Sequence, residues 1–180
     1  MNLKNNYFLI FRKVKHPRIE VHRNAVKIIV PKINKLKIQD IIQKHKKWID
    51  GKVEELKEME ILSHNLILYN HEKLKDIVEK FVNEFSKILR VKPEEIFFRK
   101  MKRRWGSCKP EKKKLIFSRD LKYLPEDLIK YVVLHEMCHL IVRNHKKEFW
   151  VLVGKLERDY KEKERLLSCY RLRLDQTDLW

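Results

Sequence analysis

The amino-acid sequence predicts a mixed α+β fold, and three features indicate it. Short β-branched and aromatic runs near the N-terminus are separated by turn residues, as in small β-sheets. Several longer segments place apolar residues three and four positions apart, which is the spacing of one helix face. Residues 124–143 are apolar almost all round, as expected of a helix buried at the centre of a domain.

Residues 1–62 are predicted to form an N-terminal β-meander followed by a helix. The strand patterns are Tyr7–Val14, Ile19–Val21 and Ala25–Val30. Turn residues separate these runs, so we expect the three strands to pair antiparallel. Apolar residues then recur at helical spacing from Ile38 to Leu56.

Residues 63–180 are predicted to form a second domain around the buried helix. Its other helices are expected near Leu74–Leu89, Phe149–Leu156 and Leu166–Leu174, and its strands at Ile96–Trp105 and Lys114–Arg119. The loop Gly106–Glu111 separates the two strands, which we therefore expect to form an antiparallel pair.

The buried helix contains the pattern H-E-x-x-H, formed by His135, Glu136 and His139. Residues four apart lie on the same helix face, so both imidazoles can bind one metal ion. Glu136 is close enough to reach a water molecule on that metal without being a ligand. Burying two imidazoles and a carboxylate costs free energy unless they share partners. A metal is one such partner; the alternative is that the three side chains satisfy one another.

His145 is the candidate for a third metal ligand. A turn after Arg143 would bring its imidazole back towards the other two. Glu148 and Glu157 are alternative third ligands. Three protein ligands with one open position are typical of catalytic zinc, although imidazole also suits iron and nickel.

The chain is strongly basic, with a formal net charge of +18. Residues 99–114 contain nine Lys or Arg and one acidic residue, Glu111. Such a segment is either a solvated face or a nucleic-acid surface. The expected nucleic-acid contacts are Arg99, Lys100, Lys102 and Arg103.

Several classes of protein are excluded or disfavoured by composition. The three cysteines are widely spaced and form no C-x-x-C pair, which argues against a disulfide scaffold or a zinc ribbon. No apolar run is long enough to cross a bilayer, so we expect no membrane partner. The N-terminus lacks a signal-peptide cleavage pattern, and a cytoplasmic location is expected. The oligomeric state stays open.

Three segments carry a resemblance to a known family. They are RRWGSC (Arg103–Cys108), LPEDLIKYVVLHEMCHL (Leu124–Leu140) and NHKKEFW (Asn144–Trp150). In this order they resemble the YgjP-like predicted metal-dependent hydrolases, which are similar to the WLM and SprT-like zinc metallopeptidases. The resemblance implies a zincin-like core, with the metal-binding helix packed on a small antiparallel sheet.

The resemblance also implies roles for individual residues. The implied metal ligands are His135, His139 and His145, and the implied general base is Glu136. The segment implied to lie near the site is Trp105–Cys108, in which Trp105, Gly106 and Ser107 are the candidate substrate or cleft contacts. The expected function is that of a zinc-dependent peptidase acting on a protein or peptide substrate. The alternatives are a basic nucleic-acid-binding protein with structural zinc, and a DNA-associated protease.

Overall fold

The computed structural model describes residues 7–22, 25–31 and 35–176. The described residues form two three-stranded sheets and five α-helices, so the predicted α+β class is confirmed. The chain divides into two compact units, Met1–Asn65 and Leu66–Trp180. No helix within the described ranges combines the length and apolar character needed to cross a bilayer.

The N-terminal unit consists of a small sheet and a long helix. Its elements are β1 (Tyr7–Phe11), β2 (Arg18–His22), β3 (Ala25–Val30) and α1 (Lys35–His64). Val26, Ile28 and Val30 of β3 point to the same face because strand side chains alternate. These three side chains form a buried core together with Ile49 of α1.

The strand pairing corrects the predicted antiparallel meander. The order of strands is β1-β3-β2, with β1 parallel and β2 antiparallel to β3. Leu9 and Ile19 therefore lie opposite the same residue, Ile28, from its two sides. Residue alternation identifies a strand but does not encode the direction of its neighbour. β3, whose Val26, Ile28 and Val30 are buried, lies at the centre, where both of its edges are paired.

The C-terminal unit surrounds the helix that carries the H-E-x-x-H pattern. Its elements are α2 (Leu74–Leu89), β4 (Glu95–Arg99), β5 (Gly106–Lys109), β6 (Lys114–Ser118), α3 (Glu126–Cys138), α4 (Lys147–Leu156) and α5 (Tyr160–Gln176). Most of α3 is buried, as its apolar composition predicts. It packs against α2 on one side and β5 on another.

The second sheet also differs from the predicted antiparallel pair. Its order is β4-β6-β5, and β4 runs parallel to β6. The segment Gly106–Lys109, predicted to be a loop, forms β5 and pairs antiparallel with β6. Its sequence GSCK contains no β-branched or aromatic residue, so the strand depends on tertiary contacts rather than on intrinsic propensity.

The helix ends are also shifted from their predicted positions. α3 ends at Cys138, with His139 as its C-cap, although the apolar run predicts continuation to Arg143. His139 Nδ1 lies 3.0 Å from the carbonyl oxygen of Val142, and this bond closes a turn after the helix. The last helix begins at Tyr160, earlier than its apolar pattern indicates.

Candidate metal centre

Three histidines converge at the C-terminal end of α3: His135, His139 and His145. One ligand atom from each lies within 4.8 Å of the others. Nε2 of His145 is 2.9 Å from Nε2 of His135 and 3.0 Å from Nε2 of His139. The structure thus brings together the two motif histidines and the expected third. Among the described residues, the alternatives Glu148 and Glu157 lie outside this group.

Two aromatic residues at the start of α4 hold the imidazoles in place. Trp150 donates its indole N–H to the carbonyl oxygen of His145 at 3.0 Å, and the two rings stack with centroids 5.6 Å apart. Phe149 is fully buried and stacks on His139 at 4.4 Å. The loop after α3 therefore returns to the helix end because α4 anchors it there.

The groups that face Nδ1 of His135 and His139 favour tautomers whose Nε2 lone pairs point towards Nε2 of His145. The carbonyl oxygen of Val142 can only accept, so His139 Nδ1 carries the proton and Nε2 has the lone pair in the neutral ring. His135 Nδ1 lies 3.5 Å from Glu164 Oε1, which favours the same tautomer. The single proton of a neutral His145 cannot satisfy both facing nitrogens. A cation that accepts all three lone pairs would satisfy all three nitrogens. The donor set therefore fits a divalent transition metal.

The environment also favours the neutral form of His139 and His145. Burial lowers the pKa of His139 to about 4, opposed in part by the hydrogen bond to Val142. Burial also lowers the pKa of His145, and the charge of His135 acts in the same direction. Because a metal binds the deprotonated imidazole nitrogen, both groups are in the binding form at neutral pH.

Glu136 is a buried carboxylate beside the three imidazoles. Its side chain is 6% exposed, and Oε2 has no hydrogen-bond partner. Burial raises the pKa of Glu136 to about 7, although the charges of His135 and Arg104 oppose this shift. A bound cation would add to that opposition and favour the ionised carboxylate. Without a cation, the pKa of this carboxyl group therefore lies close to neutral pH.

Gly106 lies directly against Glu136. A Cβ atom at Gly106 would be 2.7 Å from Glu136 Cγ, 2.8 Å from Oε1 and 2.9 Å from Cδ. Real Cβ atoms essentially never make contacts this short. The φ angle of Gly106 is not positive, so the position requires glycine for space rather than for backbone conformation. The first residue of β5 thus forms one wall around the carboxylate.

Glu164 of α5 is a site residue that the sequence analysis did not identify. Tyr131 donates its hydroxyl to Glu164 Oε1 at 2.6 Å, and the same oxygen faces His135 Nδ1. Burial opposes ionisation of Glu164, yet the nearby imidazole of His135 and the hydrogen bond from Tyr131 hold its pKa below the usual value. A carboxylate behind a ligand imidazole fixes the orientation of the ring. Only the fold brings α5 beside α3, so no local spacing marks this residue.

The other residues expected near the site have different surroundings. Trp105 donates its indole N–H to the carbonyl oxygen of Leu167 at 3.3 Å, and the guanidinium of Arg171 lies 3.9 Å from its ring centroid. These contacts connect Trp105 to α5. Ser107 lies in β5 opposite Ile116 of β6. Gly106, between the two, is the residue of this segment that lies against Glu136.

Residues 99–104, here named the basic loop, join β4 to β5. The expected nucleic-acid contacts within it, Arg99, Lys100, Lys102 and Arg103, are all exposed. Together with Met101 and Arg104 they line a shallow cavity of about 330 Å³. Farther along the basic segment, Lys113 and Lys114 form ion pairs with Glu94 and Glu95. The charges of the segment therefore have two different environments.

The sequence was also compared with known families and proteins. Residues 59–170 match the profile of the YgjP-like metallopeptidase domain, which is more than half of the chain. The chain belongs to the YgjP-like family. The resemblance noted from the sequence is thereby confirmed. By family, this YgjP-like chain is a metallopeptidase, and the family implies a divalent metal, typically zinc.

Comparison of the YgjP-like chain with curated proteins gave no match. Among solved structures, it is similar to the metallopeptidase zymogen of Pyrococcus abyssi abylysin, with 22% identity over 51% of this chain and 92% of that chain, and a TM-score of 0.46. It is also similar to the metallopeptidase zymogen of Methanocaldococcus jannaschii jannalysin, with 21% identity over 54% of this chain and 96% of that chain, and a TM-score of 0.43. The family assignment rests on the profile match.

Proposed function

We propose that this YgjP-like chain is a zinc-dependent peptidase. The proposal rests on the convergence of three imidazole nitrogens beside a buried carboxylate without a hydrogen-bond partner at Oε2. His135, His139 and His145 hold the metal in this proposal, which leaves a coordination position for water or substrate. Imidazole also binds iron and nickel, so zinc follows from the family together with the donor set.

Glu136 acts as the general base in the proposed mechanism. When bound, the metal would polarise the substrate carbonyl and lower the pKa of a water molecule. Glu136 accepts a proton from the attacking water and passes it to the leaving amine. The positive charge of Arg104 favours the ionised carboxylate needed for the first transfer, against the effect of burial. Gly106 leaves the space in which the carboxylate lies.

The alternative is a nucleic-acid-binding protein in which zinc is structural. Structural zinc sites usually have four protein ligands, often cysteines. The described residues supply three histidines at this point, and no cysteine belongs to the group. A buried carboxylate without a partner also has no role in a purely structural site. These observations favour the peptidase, and a DNA-associated protease remains compatible with the exposed basic loop.

The Glu136→Gln variant tests the proposed mechanism. Glutamine keeps the shape of the side chain but cannot accept the proton. We expect loss of hydrolysis by at least ~10²-fold, the lower end of the contribution of general acid–base catalysis. Metal content and thermal unfolding should stay close to wild type. The matched control is Glu148→Gln, an exposed position outside the histidine group, which should leave activity unchanged.

The assay should measure new amino termini released from unfolded protein and mixed peptides, with and without DNA. Equal cleavage by wild type and Glu136→Gln would exclude this carboxylate as the base. Loss of metal or unfolding of the variant would instead assign Glu136 a structural role. Metal identity is measured separately by mass spectrometry of the purified protein.

A further inference from the structure

We propose that the basic loop is a subsite that selects acidic side chains of the polypeptide substrate. Within the loop, Arg104 is nearest in sequence to Gly106, the residue that lies against Glu136. The inference rests on the proposed peptidase function, because it assigns a substrate class to the same site. Its test is a binding measurement, so the two proposals can fail separately.

The position of the loop places it next to the site. β4 ends at Arg99 and β5 begins at Gly106, on opposite sides of β6. The amide of Ser118 donates to the carbonyl oxygen of Trp105 at 2.8 Å, so the connection crosses the end of β6. Arg104 precedes Gly106 by two residues, a span of at most about 7 Å of extended chain. A ligand bound at the Arg104 end of the loop would therefore lie near Glu136, which Gly106 contacts.

Four cations of the loop have no ion-pair partner within the described part of the protein. No ion pair forms there to Arg99, Lys102, Arg103 or Arg104, and all four side chains are exposed. Other cations of the same unit are paired, for example Lys130 with Glu84. Like charges this close together repel one another, and an anionic ligand would remove that repulsion.

The shape of the loop suits side chains better than an extended polymer. Its cavity of about 330 Å³ is at the small end of the range for ligand pockets. Met101, 8% exposed, is the apolar residue among the cations that line this cavity. The methylene groups of glutamate can pack on an apolar surface while the carboxylate reaches a guanidinium. A duplex would contact phosphates over a much wider area than one six-residue loop.

Arg104 is held by its backbone while its side chain is left exposed. Nη2 of Arg171 donates to the carbonyl oxygen of Arg104 at 3.3 Å, and the same guanidinium covers the ring of Trp105. The backbone of Arg104 thus has a defined position at the end of the loop.

The experiment measures peptide affinity in the Glu136→Gln background, where cleavage is suppressed. Fluorescein-labelled peptides that contain Asp and Glu are compared with otherwise identical peptides that contain Asn and Gln. At low salt we expect about tenfold tighter binding of the acidic peptides, with a preference that declines as salt screens the charges. Arg104→Ala should reduce that preference about two- to fivefold and leave the affinity for amide peptides unchanged.

Two further variants make the result specific. Double reversal of Arg103→Glu and Arg104→Glu should abolish the preference for acidic peptides. Lys87→Ala removes one charge from the last turn of α2, outside the loop, and should preserve the preference. Equal affinities for the two peptide classes, or a preference that survives the double reversal, would overturn the proposal. Loop-dependent binding of a labelled oligonucleotide without any peptide preference would overturn it in favour of a nucleic-acid surface.

Discussion

The substitution Gly106→Ala provides a direct test of how the carboxylate is positioned. The added methyl group would lie 2.7 Å from Glu136 Cγ, about 0.7 Å inside the shortest ordinary van der Waals contact of 3.4 Å. Glu136 is buried, so its side chain cannot simply swing into solvent. Either the carboxylate moves or β5 shifts away from α3. A move of the carboxylate changes its distance from the three imidazoles, and a shift of β5 removes the wall that holds the carboxylate in place.

The expected magnitudes follow from this overlap. Overpacking a buried site costs typically about 1–3 kcal/mol of stability. A displacement of the base approaching 1 Å is expected to reduce kcat/KM by about 10²-fold, because proton transfer depends on its geometry. Metal content should be retained, since the three histidines lie on other elements. Gly106→Ala therefore separates activity from metal binding.

Two other glycines provide matched controls for this experiment. A Cβ at Gly51, within α1, would meet nothing within 4 Å, so Gly51→Ala should stabilise the helix by up to about 1 kcal/mol. A Cβ at Gly154 would lie 3.4 Å from Tyr160, close to ordinary contact, and should be tolerated. The measurements are kcat/KM on a peptide substrate, metal stoichiometry and thermal unfolding. Wild-type activity and stability in Gly106→Ala would refute the steric reasoning.

The other predictions concern the metal and its supporting groups. His145→Ala should weaken zinc affinity, measured by competition with a chelator, nearly as much as His135→Ala or His139→Ala; full retention of zinc would exclude His145 as a ligand. Glu164→Gln should weaken zinc affinity about tenfold, the lower end of the effect of groups that orient a ligand. Tyr131→Phe should have a smaller effect, because His135 Nδ1 still faces the carboxylate. Equal zinc affinity in wild type, Glu164→Gln and Tyr131→Phe would refute the role of Glu164.

Local spacing predicted the part of the site that lies within one helix. His135, Glu136 and His139 are close in the chain, so helix geometry alone places them together. The sequence did not determine whether His145 approaches the other two histidines, because the chain can leave a turn in several directions. The structure resolves it through Trp150 and Phe149, whose rings contact the imidazoles from α4.

The parts that the sequence did not predict depend on pairing between distant segments. The GSCK strand lacks β propensity, and its identity as β5 follows from its pairing with β6 and its packing on α3. The directions of β1 and β4 are likewise set by tertiary contacts, since the alternation of side chains along a strand does not specify whether its neighbour runs parallel or antiparallel. Glu164 reaches His135 from a separate helix, and nothing in the local sequence of α5 distinguishes it from its charged neighbours.

The strand order of the second sheet also determines when the site can be completed during synthesis. β6 is the partner of both β4 and β5, so a nascent chain that ends before Lys114 offers neither strand its neighbour. Gly106 and the basic loop therefore acquire their positions only after residues beyond them have emerged. The ribosome then adds residues 135–145, and Glu164 follows later. A partial chain thus contains all three imidazoles before it contains Glu164, the carboxylate that faces His135 Nδ1.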